Sequence, residues 1–137
     1  MRRAILAIVV AVACVAATHK PAPAQCALHI GARVVLYGTS DDPDVFVWDS
    51  RFRMRTYAEG SFDQAQALLP HALLVPPGTR AWVTACVREF VASKFTDRSD
   101  DAIGIVIASG RYHGREGWVL ATDVRSIVHR MERQPHR

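Results

Sequence analysis

Gly110-Arg-Tyr-His-Gly-Arg-Glu-Gly-Trp-Val-Leu-Ala-Thr-Asp-Val124 is the stretch that decides how this chain folds. Its three glycines mark a loop, and Trp118-Val-Leu-Ala121 reads as a strand leaving it. Ile103-Gly-Ile-Val-Ile-Ala108, just upstream, is the partner strand. Together they predict a β-hairpin with an apolar body, which needs a larger sheet to rest on. If Gly114 and Gly117 hold positive φ, each is a backbone requirement, since a residue with a Cβ occupies that region at a cost.

The rest of the chain supplies that sheet. Residues 32–37 form a β-branched strand ending at Gly38, and Thr39-Ser-Asp-Asp-Pro-Asp44 is a turn cluster. Residues 45–48 read as a second strand and residues 52–57 as a third. In the third, Phe52, Met54 and Thr56 alternate with Arg51, Arg53 and Arg55, the period of a half-buried strand. Ser61-Phe-Asp-Gln64 is a capping-box pattern, so a short helix should run to about Leu69, before Pro70. Leu73-Leu-Val leads into a Pro76-Pro-Gly78 turn, and residues 80–90 continue as a long strand with Trp82, Thr84 and Cys86 on one face. Residues 94–101 are a polar loop, residues 122–124 a single helical turn, and residues 126–137 a tail with room for a short helix. Phe46, Trp82 and Phe90 are expected in the core.

The first residues carry a different signal. Arg2 and Arg3 precede an apolar run over residues 4–17. At about 14 residues it falls short of the roughly 20 needed to span a bilayer. Its order of basic start, apolar middle and small-residue end predicts a secretory signal peptide over residues 1–24. Cleavage after Ala22-Pro-Ala24 would leave Gln25 first; cleavage after Val15-Ala-Ala17 would leave Thr18. Ala11-Val-Ala-Cys14 offers a third course, lipid attachment at Cys14. The chain is expected to be periplasmic or secreted, with no stable membrane insertion once the signal is removed.

Export changes the charge balance. Of 17 basic residues, Arg2, Arg3 and Lys20 leave with the signal, so 14 remain against 13 acidic ones. A net charge near +1 does not suggest a nucleic-acid partner. Arg51, Arg53 and Arg55 on one side, and Arg125, Arg130, Arg133 and Arg137 on the other, read as solvated surface and tail. About 113 residues remain, enough for one domain, residues 25–125, with one core. Cys26 and Cys86 are an even pair in an oxidising compartment, which suggests a disulfide; two buried free thiols are the alternative.

Two blocks in order resemble a known family. Leu73-x-Val75-x-x-Gly78-x-x-Ala81-x-Val83, then an apolar strand and Gly114-x-x-Gly117-Trp-Val119, are similar to the bacterial SH3-like (SH3b) domain. The resemblance implies a mostly β fold: a small SH3-like barrel with one short helix in an enlarged RT-loop region. It places Val119 inward and Leu120 outward, as alternation along a strand requires. It also implies recognition of a peptide, either a peptidoglycan stem peptide or a segment of an envelope protein. Tyr37 matches an early groove aromatic, but Leu120 stands at the family's groove proline and Asp123 at its tyrosine. PxxP recognition is therefore not expected.

Catalytic constellations are not legible. Cys86 with His29, His71 or His113 would place a nucleophile inside a strand, opposite a disulfide partner. The pairs Asp41-Asp42 and Asp100-Asp101 lie in polar loops and read as solvated turn residues. Gly110-x-x-x-Gly-x-x-Gly joins two strands rather than opening a helix, so it is not a phosphate loop. His113 at the hairpin tip reads as an exposed loop residue. No metal or cofactor is expected. Tyr37, Tyr112, Trp118 and Leu120 are the candidate ligand-binding residues, since binding sites favour Trp and Tyr. The expected role is a non-catalytic binding module of the envelope. The alternative is an accessory interaction subunit without a small ligand.

Overall fold

A computed structural model describes residues 26–127. The expected signal peptide with its candidate cleavage sites, Cys14 and the residues beyond Ile127 lie outside the described residues. No helix among the described residues is long and apolar enough to cross a membrane.

Seven strands make one antiparallel sheet: β1 (Arg33–Leu36), β2 (Val45–Trp48), β3 (Ala72–Val75), β4 (Thr79–Ala92), β5 (Ser99–Ile107), β6 (Glu116–Leu120) and β7 (Val124–Ser126). Their order across the sheet is β3-β2-β6-β5-β4-β1-β7. The sheet curls into a half-barrel whose edges, β3 and β7, are not hydrogen-bonded to each other. Two helices, α1 (Arg51–Glu59) and α2 (Phe62–Leu68), and 3-10 turns at Leu69–His71 and Ala121–Asp123 complete it. The fold is mostly β.

The concave side holds an aliphatic core. Val34 and Leu36, Val45 and Val47, Ile103, Ile105 and Ile107, and Val119 are all essentially without solvent exposure. They sit at alternate strand positions, so each strand contributes every second residue. The convex side is different. There Trp48, Met54, Val91 and Ala102 are buried beneath α1, with Phe46, Tyr57, Phe90, Trp118 and Leu120 packed round them. β4 contributes to both layers because its pairing with β5 shifts register between Val83 and Ala85 and again between Val87 and Val91. Such bulges bend and twist a strand. Glu89, in the second break, has φ 49°.

Several expectations are corrected. Residues 52–57 are helical, within α1. Ser50 caps that helix by accepting from the Phe52 N–H. A six-residue alternation of Arg with Phe, Met and Thr spans less than two helical turns, too little to separate a period of 2 from one of 3.6. Met54 alone of α1 is buried, and Arg51 and Arg55 share a side at i, i+4 rather than alternating along a strand. The enlarged region therefore holds two helices rather than one. α2 keeps its capping box, with Ser61 and Gln64 bonded reciprocally. Trp82 is not core: it is 39% exposed, with the Arg33 guanidinium 4.7 Å from its ring. Phe46 and Phe90 are half-buried in the convex layer. The chain past the helical turn forms β7 against β1 instead of fraying at once.

The hairpin forms between β5 and β6, with Ile103 opposite Val119 and Gly104 opposite Trp118. Gly114 holds φ 87° and donates its N–H to the Ile107 carbonyl at 2.7 Å. Gly117 does not take positive φ. Its reason for being glycine is space: a Cβ there would lie 2.4 Å from Val47 Cγ1 and 2.8 Å from the Trp48 carbonyl oxygen. β2 crosses close over that point, and Trp48 pairs with Trp118 in register.

Cys26 and Cys86 form a disulfide with their Cα atoms 6.4 Å apart. It closes a loop of sequence separation 60, for which loop-closure entropy gives about 4 kcal/mol. The bridge pins the N-terminal arm to β4, where the Gly31 N–H also donates to the Val83 carbonyl at 2.6 Å.

Candidate functional site

A concavity of about 230 Å³ lies on the convex side, at one flank of α1. Its apolar wall is aromatic. Trp48 and Tyr57 have ring centroids 4.7 Å apart, and Phe46 lies 5.8 Å from the first and 5.6 Å from the second. These tilted and edge-on contacts are favoured by ring quadrupoles and hold the rings in fixed orientations. Met54 and Leu120 close the base.

The rim is acidic. Asp42 and Asp44 come from the loop between β1 and β2, and Asp123 from the 3-10 turn after β6. That loop is tightly wound: the Gly38 N–H donates to Pro43 O and the Thr39 N–H to Asp42 O, each at 2.9 Å. The Asp42 N–H in turn donates to Thr39 Oγ1 at 3.1 Å. Gly38 is required here, since a Cβ would lie 2.3 Å from the Asp42 carbonyl oxygen. The Tyr37 N–H donates to the Asp123 carbonyl at 2.9 Å and ties the loop to the turn. The two sources of rim carboxylates are thus fixed relative to each other.

Burial pushes the Asp123 carboxyl up to about 6; the nearby Arg125 opposes this, while Asp100 and Asp42 add to it. The Arg125 guanidinium is engaged by the carbonyls of Thr122 and Val124. The Asp123 carboxylate accepts no hydrogen bond among the described residues. A partly desolvated carboxylate, two exposed ones and three fixed rings make an environment that favours a cation: carboxylates supply charge and ring faces supply quadrupole attraction.

The four residues singled out from the sequence are dispersed. Tyr37 is 40% exposed beside the loop, and its backbone rather than its ring meets the site. Tyr112 rests against the concave core, with Arg111 over its ring at 5.5 Å. Trp118 and Leu120 share one face of β6 and both join the convex layer. Only Leu120 of the four lines the cleft; Trp118 lies under Arg51. The residues that sequence reasoning passed over are Asp42, Asp44, Phe46 and Tyr57. The turn 39–44 carried a signal in its three acids, but their convergence with rings from α1 and β2 is a tertiary fact.

Cys86 is bonded to Cys26 and offers no thiolate. Asp49 is also engaged: its slight burial raises its pKa, but hydrogen bonds and charge from Arg53 and His71 outweigh this and leave it lowered. No family model, curated protein or solved structure matches the chain.

Proposed function

We propose that this chain is an exported, non-catalytic SH3-like binding module of the bacterial cell envelope, which takes a basic side chain of a peptide into the acid-rimmed aromatic cleft. The observation that carries this reading is the convergence of Asp42, Asp44 and Asp123 on the Phe46, Trp48 and Tyr57 rings. A cleft of about 230 Å³ suits one long side chain rather than a folded partner. A lysine or arginine stem would lie along the rings with its charged head at the rim. A peptidoglycan stem peptide or an envelope protein segment would supply such a group.

The test is a titration of the full chain with a lysine-containing tripeptide and with the same peptide acetylated at the lysine amine. Binding should shift the Trp48 indole and Tyr57 ring signals in NMR spectra. The acetylated peptide should bind at least tenfold more weakly. Equal affinity for both would sink the cationic reading. Retention on purified cell-wall sacculi, lost in Asp42→Asn/Asp44→Asn/Asp123→Asn, would tie the site to the envelope.

The reading as an accessory interaction subunit draws on one observation. Phe95 is 95% exposed and Phe62 is 74% exposed. The segments that carry them are joined where Lys94 Nζ donates to Gly60 O at 2.8 Å.

A further inference from the structure

On the other flank of α1, arginines and rings form a second arrangement. The Arg51 guanidinium carbon lies 5.1 Å from the Phe52 ring centroid, 5.6 Å from Phe90 and 5.5 Å from Trp118. That of Arg55 lies 4.5 Å from Phe90 and 5.4 Å from Phe52. Phe52 and Phe90 meet edge-to-face at 5.5 Å, and Phe52 remains 53% exposed.

This arrangement opposes the local preferences of a helix. α1 has no acidic residue in its first turn, where the positive end of the helix dipole favours carboxylates and disfavours cations. Two arginines at i, i+4 also repel each other. Arg53, between them, is compensated by an ion pair with Asp49 at 2.7 Å. Neither Arg51 nor Arg55 has a carboxylate within ion-pairing distance among the described residues. The rings hold both guanidinium groups in place and strip part of their hydration, without neutralising them. Positions that break local rules with no compensating ion pair are where functional or strained sites are expected.

We propose that Arg51 and Arg55, on their platform of Phe52, Phe90 and Trp118, form an anion site for a short acidic peptide segment with carboxylates at alternate positions. A guanidinium stacked on a ring keeps its N–H edges free for bidentate carboxylate bonding. Residues i and i+4 of a helix stand about 6 Å apart. Alternate residues of an extended peptide are separated by about 6.7 Å on one face, so two acidic side chains match two guanidinium groups. A long polyanion fits less well, because the acidic rim of the cleft lies across the same helix. The site is independent of the cation cleft, and neither reading depends on the other.

The experiment is a titration of the full chain, at low salt, with acetyl-Glu-Ala-Glu-amide and with its Gln-Ala-Gln counterpart. The readouts are the arginine Nε–H and tryptophan indole N–H signals in NMR spectra. The acidic peptide should shift Arg51, Arg55 and Trp118 together and leave Arg53 in place, and the amide counterpart should shift none of them. Arg51→Gln/Arg55→Gln should weaken binding tenfold or more, while Arg53→Gln should change it less than twofold. The unmodified chain gives a site-resolved answer by itself, so a misfolded variant does not remove the test. No shift at Arg51 and Arg55 at millimolar peptide would overturn the proposal. So would equal loss in Arg53→Gln, or tighter binding of a single-stranded oligonucleotide than of the peptide.

Discussion

The two faces of the sheet are built from different chemistry. The buried residues of the concave core are Val, Leu, Ile and Ala without an aromatic among them; of the partly buried residues packed against them, Tyr112 alone is aromatic. The convex layer gathers Phe46, Trp48, Tyr57, Phe90 and Trp118 around Met54. Inside a tight half-barrel, β-branched side chains with one strongly preferred rotamer fill space without polar atoms to satisfy. Rings serve better beneath a helix at the border with solvent, where one face packs and an edge or a polar tip stays accessible. Both faces therefore bury side chains that stabilise the fold, but only the convex one leaves rings and charged groups together at the surface. α1 divides the second face into an acidic flank and a basic one.

The strongest way to break this comparison is to remove the centre of each layer. Trp48→Ala should destabilise by about 3–5 kcal/mol and Ile105→Ala by about 2–5 kcal/mol, both measured by chemical denaturation. Both side chains are almost wholly buried, at 3% and 1% exposure. The two should part on ligand binding, since only Trp48→Ala removes a wall of the cleft. A loss below about 1 kcal/mol at Trp48 would mean that α1 is not an integral cover.

A subtler contrast lies within β6, where Val119 faces the concave core and Leu120 the convex layer. Val119→Ala should cost about 1–3 kcal/mol through lost burial and a partial cavity. Leu120 is half-buried, and its replacement by Ala should cost less while weakening binding in the cleft. Thermal unfolding of both variants checks the register. A larger loss of stability at Leu120 would reverse the assignment of the two faces.

The smallest effect is the pH dependence carried by Asp123. Its carboxyl titrates at about 6 in the folded protein, above its ordinary value. A raised folded value means that its contribution to stability is full at low pH and is lost as pH rises through about 6. Asp123→Asn should flatten that part of the stability profile. Cation binding should run the other way, since it draws on the ionised form. If binding requires that form, affinity at pH 5 should be about tenfold below that at pH 7, and the difference should vanish in Asp123→Asn. A pH profile unchanged by the substitution would assign the dependence to another group.

Much of this protein was legible along the chain, because the signals were local. Apolar runs rich in β-branched residues marked β1 and β5, the glycine loop before Trp118 marked β6, the Ser61–Gln64 box marked the start of α2, and Pro76-Pro-Gly78 marked a turn. Two cysteines in a chain expected to be exported pointed to the bridge that joins them. Residues 52–57 were misread as a strand, since a short alternation carries both periods and Ser50 settles the matter only by capping. Gly117 had a purpose that no local pattern contains, as its constraint comes from Val47 on a strand distant in sequence. The same holds for both candidate sites. Asp42 and Asp44 look like turn residues, and Arg51 and Arg55 like solvated surface. Their roles arise when β2, β6 and the two bulges of β4 bring Trp48, Trp118 and Phe90 beneath one helix. Periodicity determines which side of an element is apolar, but which side chains from different elements meet there is decided by packing alone.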